Sequence, residues 1–387
     1  MELTDYFEPV SADQEYRLGE KTAFGSFVDK HLPGGNLPEW EKADIAILGL
    51  SEYRGAHKDN SDDAACQARK CLYELAATGG QMKVADLGNL RCGKVIDDSL
   101  AALRDVMAEL MAKNTFPVII GGHKSLTLAM FRAYEANNKT INITAVDSRP
   151  GMGSDHYSGI GVTEQSYLNS IIASKSKYLF NYSNIGYQSC FTNREEIRLL
   201  EDLMFDSFRL GVARDNLKET EPVLRDTDLL MFSMSAIRQS DAPASLSPSP
   251  NGFPGEEVCQ LAWYGGKSER VSSLALFDWY GEYDTRYHTA HLAAQVAWYF
   301  IDGFYKRKDE YPFNPAKECT KFIVNLTGAD NDIVFYKSTR SERWWMEVPS
   351  SRLPKSMMVA CSHEDYQNAC RQEVPERWWQ VFRKINS

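Results

Sequence analysis

Phe116-Pro117-Val118-Ile119-Ile120-Gly121-Gly122-His123-Lys124-Ser125 is a short apolar run that breaks at a glycine pair, and an apolar segment of helical period follows from Leu126 to Tyr134. It reads as strand, loop, helix. A second apolar run, Ile141 to Val146, ends in Asp147-Ser148-Arg149-Pro150-Gly151. The carboxyl ends of such buried parallel strands are where α/β proteins hold their ligands, so these two loops mark the expected site.

The flanking sequence repeats the same alternation. Asp44 to Leu50 is nearly continuously apolar and reads as a buried strand, and a helix capped near Ser61-Asp62 follows, with Ala65, Ala68, Leu72 and Leu75 at helical spacing. Val84 to Asn89 reads as the next strand. A long helix is expected from about Asp98 to Lys113, with Leu100, Leu103, Val106, Met107, Leu110 and Met111 as its apolar stripe. Beyond the central loops, Tyr167 to Ser174 reads as a short helix, Asn181 to Gln188 as a strand end and Glu195 to Asp206 as a helix. Leu229 to Phe232 is a strand that delivers Ser233 and Ser235, and four prolines keep Ser240 to Gly255 irregular. Leu274 to Asp278 is an apolar strand ending in an acid, followed by a helix from about Tyr287 to Phe304. Strands alternating with helices predict a three-layer α/β fold with a mainly parallel sheet.

This divides the chain into an irregular amino-terminal arm over residues 1–40, an α/β domain over 41–315 and an extension over 316–387. In the extension, Phe322 to Leu326 and Asp332 to Tyr336 flank a turn-rich stretch and read as a β-hairpin. The phrase Glu-Arg-Trp-Trp occurs at Glu342 to Trp345 and again at Glu376 to Trp379. Large aromatics usually serve packing, so the Trp pairs are expected to bury the tail. The alternative is a surface for a protein partner, since Trp and Arg are enriched at interface hot spots.

With 387 residues the chain is long enough for one large core. Its 43 Lys and Arg against 53 Asp and Glu give a net charge of -10, which disfavours nucleic acid as a partner. No apolar stretch is long enough to span a bilayer, and the acidic Met1 to Val10 segment does not resemble a signal sequence, so membrane insertion is not expected. The eight cysteines show no metal spacing and fit reduced thiols in the cytoplasm.

At the two central loops the chain resembles the ureohydrolase family of arginases, agmatinases and formimidoylglutamases, whose loops read Gly-Gly-Asp-His-Ser and Asp-Ala-His-x-Asp. A third family loop, Ser-x-Asp-x-Asp-x-x-Asp-Pro, has its counterpart in Met231 to Gln239. The resemblance covers roughly Asp44 to Tyr305, is nearest the formimidoylglutamase branch and implies an arginase-like fold. It also implies two manganese ions held by four Asp and two His, but the matched ligand positions carry Lys124, Asp147, Arg149, Gly151, Ser233 and Ser235. Only Asp147 remains a ligand type. His123 falls on the family's Asp before the ligand His, and Asp278 falls on its substrate-contacting Glu.

The family reaction uses a metal-bound hydroxide to attack an amidine or guanidinium carbon. Lys124 and Arg149 are cations where ligands should be, Gly151 has no side chain, and serine hydroxyls are weak ligands. The expectation is a former metal cleft formed by His123, Lys124, Asp147, Arg149, Gly151, Ser233, Ser235 and Asp278, with no catalytic residues, no metal and no other cofactor. The protein would then be a pseudoenzyme that binds or scaffolds. The alternative is an active C-N hydrolase of amidines or guanidines, formimidoylglutamase-like and manganese-dependent, that uses a misaligned site or a different one drawn from His123, Asp155, His156, Asp278, Asp284 and His288. Asp284 and His288 stand four apart, as an ordinary helical pair would. Counting charge in the cleft, Lys124 and Arg149 balance Asp147 and Asp278, so a salt bridge is expected there, with Arg149 the favoured partner for its planar fork.

Overall fold

The computed structural model describes residues 3–10, 22–56, 63–79, 82–153, 163, 166–311, 313–315, 317–326 and 332–386. The Ser61-Asp62 cap, the pair Asp155 and His156, and the turn of the carboxyl-terminal hairpin lie outside these residues.

A ten-stranded sheet forms the centre. From one edge its main path runs β1 (Phe7–Glu8), β4 (Val84–Leu90), β3 (Ile45–Leu50), β5 (Phe116–Ile120), β10 (Ser273–Phe277), β9 (Leu229–Ser233), β6 (Ile141–Val146), β7 (Leu179–Tyr187) and β8 (Asp206–Arg209), while β2 (Val28–Lys30) also pairs with β4. All pairings are parallel except β1 with β4. Both β1 and β2 come from the amino-terminal segment, which thereby joins the sheet, and Leu3, Phe7 and Phe24 are buried.

Alternation along each strand divides the apolar side chains between two faces. Ile45, Ile47, Val118, Ile120, Leu274 and Leu276 pack on one face under α1 (Ala64–Glu74), α8 (Gly255–Gly266) and α9 (His288–Phe304). Ala46, Leu48, Ile119, Ile143, Ala145 and Ala275 pack on the other under α2 (Ile96–Ala112), α3 (Thr127–Ala136) and α4 (Tyr167–Ala173). The fold is therefore three-layer α/β, as the strand and helix alternation predicts. The expected Leu100 to Met111 stripe is buried at every position named for it.

One expectation fails. The helix read over Glu195 to Asp206 is α5 (Arg194–Asp202), and Asp206 opens β8 instead. Met204 adopts a left-handed conformation, φ 57°, which ends the helical run and turns the chain into the edge strand. The short helices α6 (Leu210–Asp215) and α7 (Glu221–Arg225) then lead to β9.

A second sheet of four antiparallel strands follows, β11 (Cys319–Val324), β12 (Ile333–Ser338), β13 (Trp344–Val348) and β14 (Met357–Cys361), with α10 (His363–Cys370) and α11 (Glu376–Asn386) after it. The two expected hairpin strands pair as β11 and β12. Trp344, Trp345 and Trp378 are buried, whereas Trp379 is 49 % exposed. Arg225 at the end of α7 donates to the carbonyls of Trp344 and Cys361, tying the second sheet to the first.

Candidate functional site

Four neighbouring strands, β5, β10, β9 and β6, end side by side, and their ends deliver the polar groups of the matched loops. After β5, Gly121 and Gly122 both take left-handed backbone at φ 93° and 80°, and a Cβ on Gly121 would lie 2.5 Å from the Leu50 carbonyl. This turn brings Lys124 over the strand ends. Its ammonium lies 2.7 Å from Asp147 Oδ2 and 4.0 Å from Asp278 Oδ2. The Lys124 side chain is 5 % exposed, Asp147 is fully buried and Asp278 is 2 % exposed.

The other carboxylate oxygens are also engaged. Asp147 Oδ1 accepts from the Ser235 hydroxyl at 2.9 Å and from the Arg149 amide at 3.2 Å. Asp278 Oδ1 accepts from the Lys124 amide at 2.9 Å, and its Oδ2 accepts from the Ser233 hydroxyl. Ser235 accepts in turn from Ser148 at 3.3 Å. Asp278 is held at φ 74°, a strained conformation for a non-glycine residue, and such strain gathers where surrounding contacts fix a side chain. Hydroxyls that would be poor metal ligands act here as hydrogen-bond donors to buried carboxylates.

The expected balance of two cations against two anions does not form. Arg149 leaves the cluster, and its guanidinium carbon lies 5.0 Å from the centroid of the Phe191 ring. One ammonium therefore faces two carboxylates, and hydroxyl and amide donors supply the remaining stabilisation. His123 also points elsewhere: its ring nitrogens lie 3.2 Å from the amides of Gly55 and Ser125. Asp284 and His288 are not a helical pair, because Arg286 and Tyr287 between them are left-handed at φ 60° and 58°. Asp284 instead caps α9, accepting from the amides of Thr289 and Ala290 at 2.9 and 2.8 Å.

Gly151 identifies a residue that the sequence reading missed. It sits at φ 75°, and a Cβ there would fall 2.3 Å from Cε1 of Tyr167. The Tyr167 ring thus fills the space that a ligand side chain at 151 would need. Tyr167 is fully buried, its hydroxyl lies 3.2 Å from that of Tyr182, and Tyr182 donates to the Pro150 carbonyl at 2.8 Å. Burial pushes both phenols well above their ordinary range, so both stay protonated. In the sequence Tyr167 is only the first residue of a short helix, with no local sign of this role.

These residues do not fit a pair of divalent ions. An ammonium lies between the two acids, their free oxygens accept from hydroxyls and amides, and one ligand position is walled by an aromatic ring.

Comparison with known proteins agrees with this architecture. The chain is 22 % identical to a formimidoylglutamase of Halalkalibacterium halodurans over 302 residues, covering 72 % of this chain and 94 % of that protein. Its fold is similar to that of a Trypanosoma cruzi formiminoglutamase solved with Mn2+, at TM-score 0.63 and 17 % identity over 70 % of this chain and 100 % of that one. The agmatine ureohydrolase of Thermoplasma volcanium is similar at TM-score 0.58 and 20 % identity, over 70 % of this chain and 93 % of that one. A family model described as the arginase family matches residues 43–302, which include all four strand ends that carry the cluster. The chain belongs to the arginase family.

Proposed function

We propose that this protein is a non-catalytic member of its family, in which the ammonium of Lys124 has replaced the dinuclear metal centre and the scaffold serves to bind or organise a protein partner or small ligand. The observation that carries this reading is the Lys124 ammonium seated 2.7 Å from Asp147 and 4.0 Å from Asp278. A cation fixed there repels a divalent ion and engages the one acid that the family's ligand set retains. The Tyr167 ring against Gly151 supports the same conclusion at a second matched ligand position. We further propose a cytoplasmic location. All eight cysteines are unpaired, which suits a reducing compartment, and no helix among the described residues is long and apolar enough to cross a membrane.

The test is to incubate the purified full chain with Mn2+, remove excess metal, and measure both metal content and turnover of formimidoylglutamate, arginine and agmatine. The expected result is substoichiometric manganese with no release of formamide or urea. Stoichiometric manganese together with product release would overturn the proposal and favour a manganese-dependent C-N hydrolase.

A further inference from the structure

The two sheets keep separate apolar cores. Among the described residues, the two clusters that sandwich the first sheet draw on no residue beyond Tyr305, and every buried member of the cluster on the second sheet comes from Val324 onward. Phe180 of β7 is the one side chain of the first unit that packs on that third cluster. The backbone passes between the units once, beyond Tyr311, whose amide donates to Glu269.

A layer of charged side chains joins the units instead. Arg225 of α7 donates to the carbonyls of Trp344 at 2.9 Å and Cys361 at 3.0 Å, and its guanidinium carbon lies 4.6 Å from the centroid of the Trp345 ring. Asp226 accepts from the Ala360 amide and from Arg377 of α11, both at 2.9 Å, while Arg377 also donates to the Ala360 carbonyl at 2.7 Å. Arg343 pairs with Glu221 at 3.2 Å, and Lys384 donates to Asn181. The contacts to Ala360 and Cys361 close the outer edge of β14, which has a strand neighbour on one side only. A cavity of about 270 Å³, lined from both units by Arg225, Asp226, Arg270, Arg343, Trp345 and Met358, remains within the layer. Apolar burial is not screened by salt, whereas paired charges are screened and contribute little once their desolvation is counted. Units joined chiefly by polar contacts therefore move relative to one another more readily than either one unfolds.

We infer that the carboxyl-terminal unit is a latched arm, which swings off the main domain as a folded piece when these ion pairs open and so uncovers the β14 edge. The inference does not depend on the state of the strand-end cluster. The Ala360 amide reports the latch directly, because its acceptor Asp226 lies across the junction. The test is hydrogen exchange of the full chain, resolved to single amides, at about 20 mM and about 500 mM NaCl, either side of physiological screening. Ala360 should exchange about tenfold faster or more in the higher salt, while amides inside β5, β10, β12 and β13 keep their rates. Arg377→Met should bring the faster Ala360 exchange to the lower salt. If that variant fails to fold, the salt comparison on the unaltered chain decides alone. The inference is overturned if Ala360 exchange does not respond to salt, or if the amides of either sheet speed up together with it, which would mean that the units open only by unfolding. It is equally overturned if the folded variant exchanges as the unaltered chain does.

Discussion

Lys124 serves two buried carboxylates with a single ammonium, so removing it leaves Asp147 without a countercharge. Replacing Lys124 by Met, which keeps most of the volume, should destabilise the fold by about 3–5 kcal/mol in chemical denaturation. Adding Asp147→Asn to that variant should recover part of the loss, because the uncompensated charge is gone. An unchanged denaturation midpoint in Lys124→Met would mean that the ammonium is not engaged. Gly151→Ala should lower stability by at least about 1–2 kcal/mol, because left-handed backbone alone imposes that on an L residue and the Tyr167 ring opposes the new methyl. The same measurement checks it. At this scale the sequence revealed the charges but not their directions. Lys124 and Asp147 meet although β10 and β9 lie between their strands, because the long Lys124 side chain reaches across the strand ends, a pairing that charge counting implies. Arg149 turns to Phe191 and His123 to Gly55, contacts made by distant segments that no local pattern announces.

The elements that were legible are those with long periodic signals, namely the apolar strands and the helices α2 and α9. The short strand β8 and the helices α6 and α7 were not, because each spans only a few mixed residues whose positions are set by packing on the sheet edge. The carboxyl-terminal elements also meet that edge, and one group at the contact titrates. Lys384 of α11 donates to Asn181 Oδ1 and lies over the rings of Phe180 and Phe205. Burial lowers its ammonium from 10.5 to about 8, against the opposing pull of Asp206. A lowered lysine makes the unfolded state the stronger proton binder between those values, so stability should rise as pH goes from about 8 to 10.5 and fall as pH drops through 8. Comparing thermal unfolding of the native chain and Lys384→Met across that range isolates the effect, and the variant should show a flatter profile. A chain ending after Pro315 removes the carbonyls that hold Arg225 and uncovers α7. It should melt lower and aggregate more than the whole chain, and equal solubility and melting temperature would show that the second sheet is not needed for packing.

For the molecule as a whole, three-layer order and family frame were readable because strand, loop and helix alternate at regular spacing and the glycine turns recur where the frame needs them. The chemistry of the centre was readable only in part, since ligand identity is written in the loops while the filling of vacated space is not. The Tyr167 ring lies against Gly151 and the Lys124 ammonium against Asp147, and each contact joins segments that are apart in sequence. If the ammonium has taken the place of the metals, then manganese and Lys124 compete for the same position and cannot both occupy it. The most direct measurement is a crystal structure of the full chain grown with Mn2+ and recorded at the manganese absorption edge. The account predicts no anomalous peak between Asp147 and Asp278, with the Lys124 ammonium in contact with Asp147. An anomalous peak between those carboxylates, with Lys124 swung out of the cluster, would contradict it.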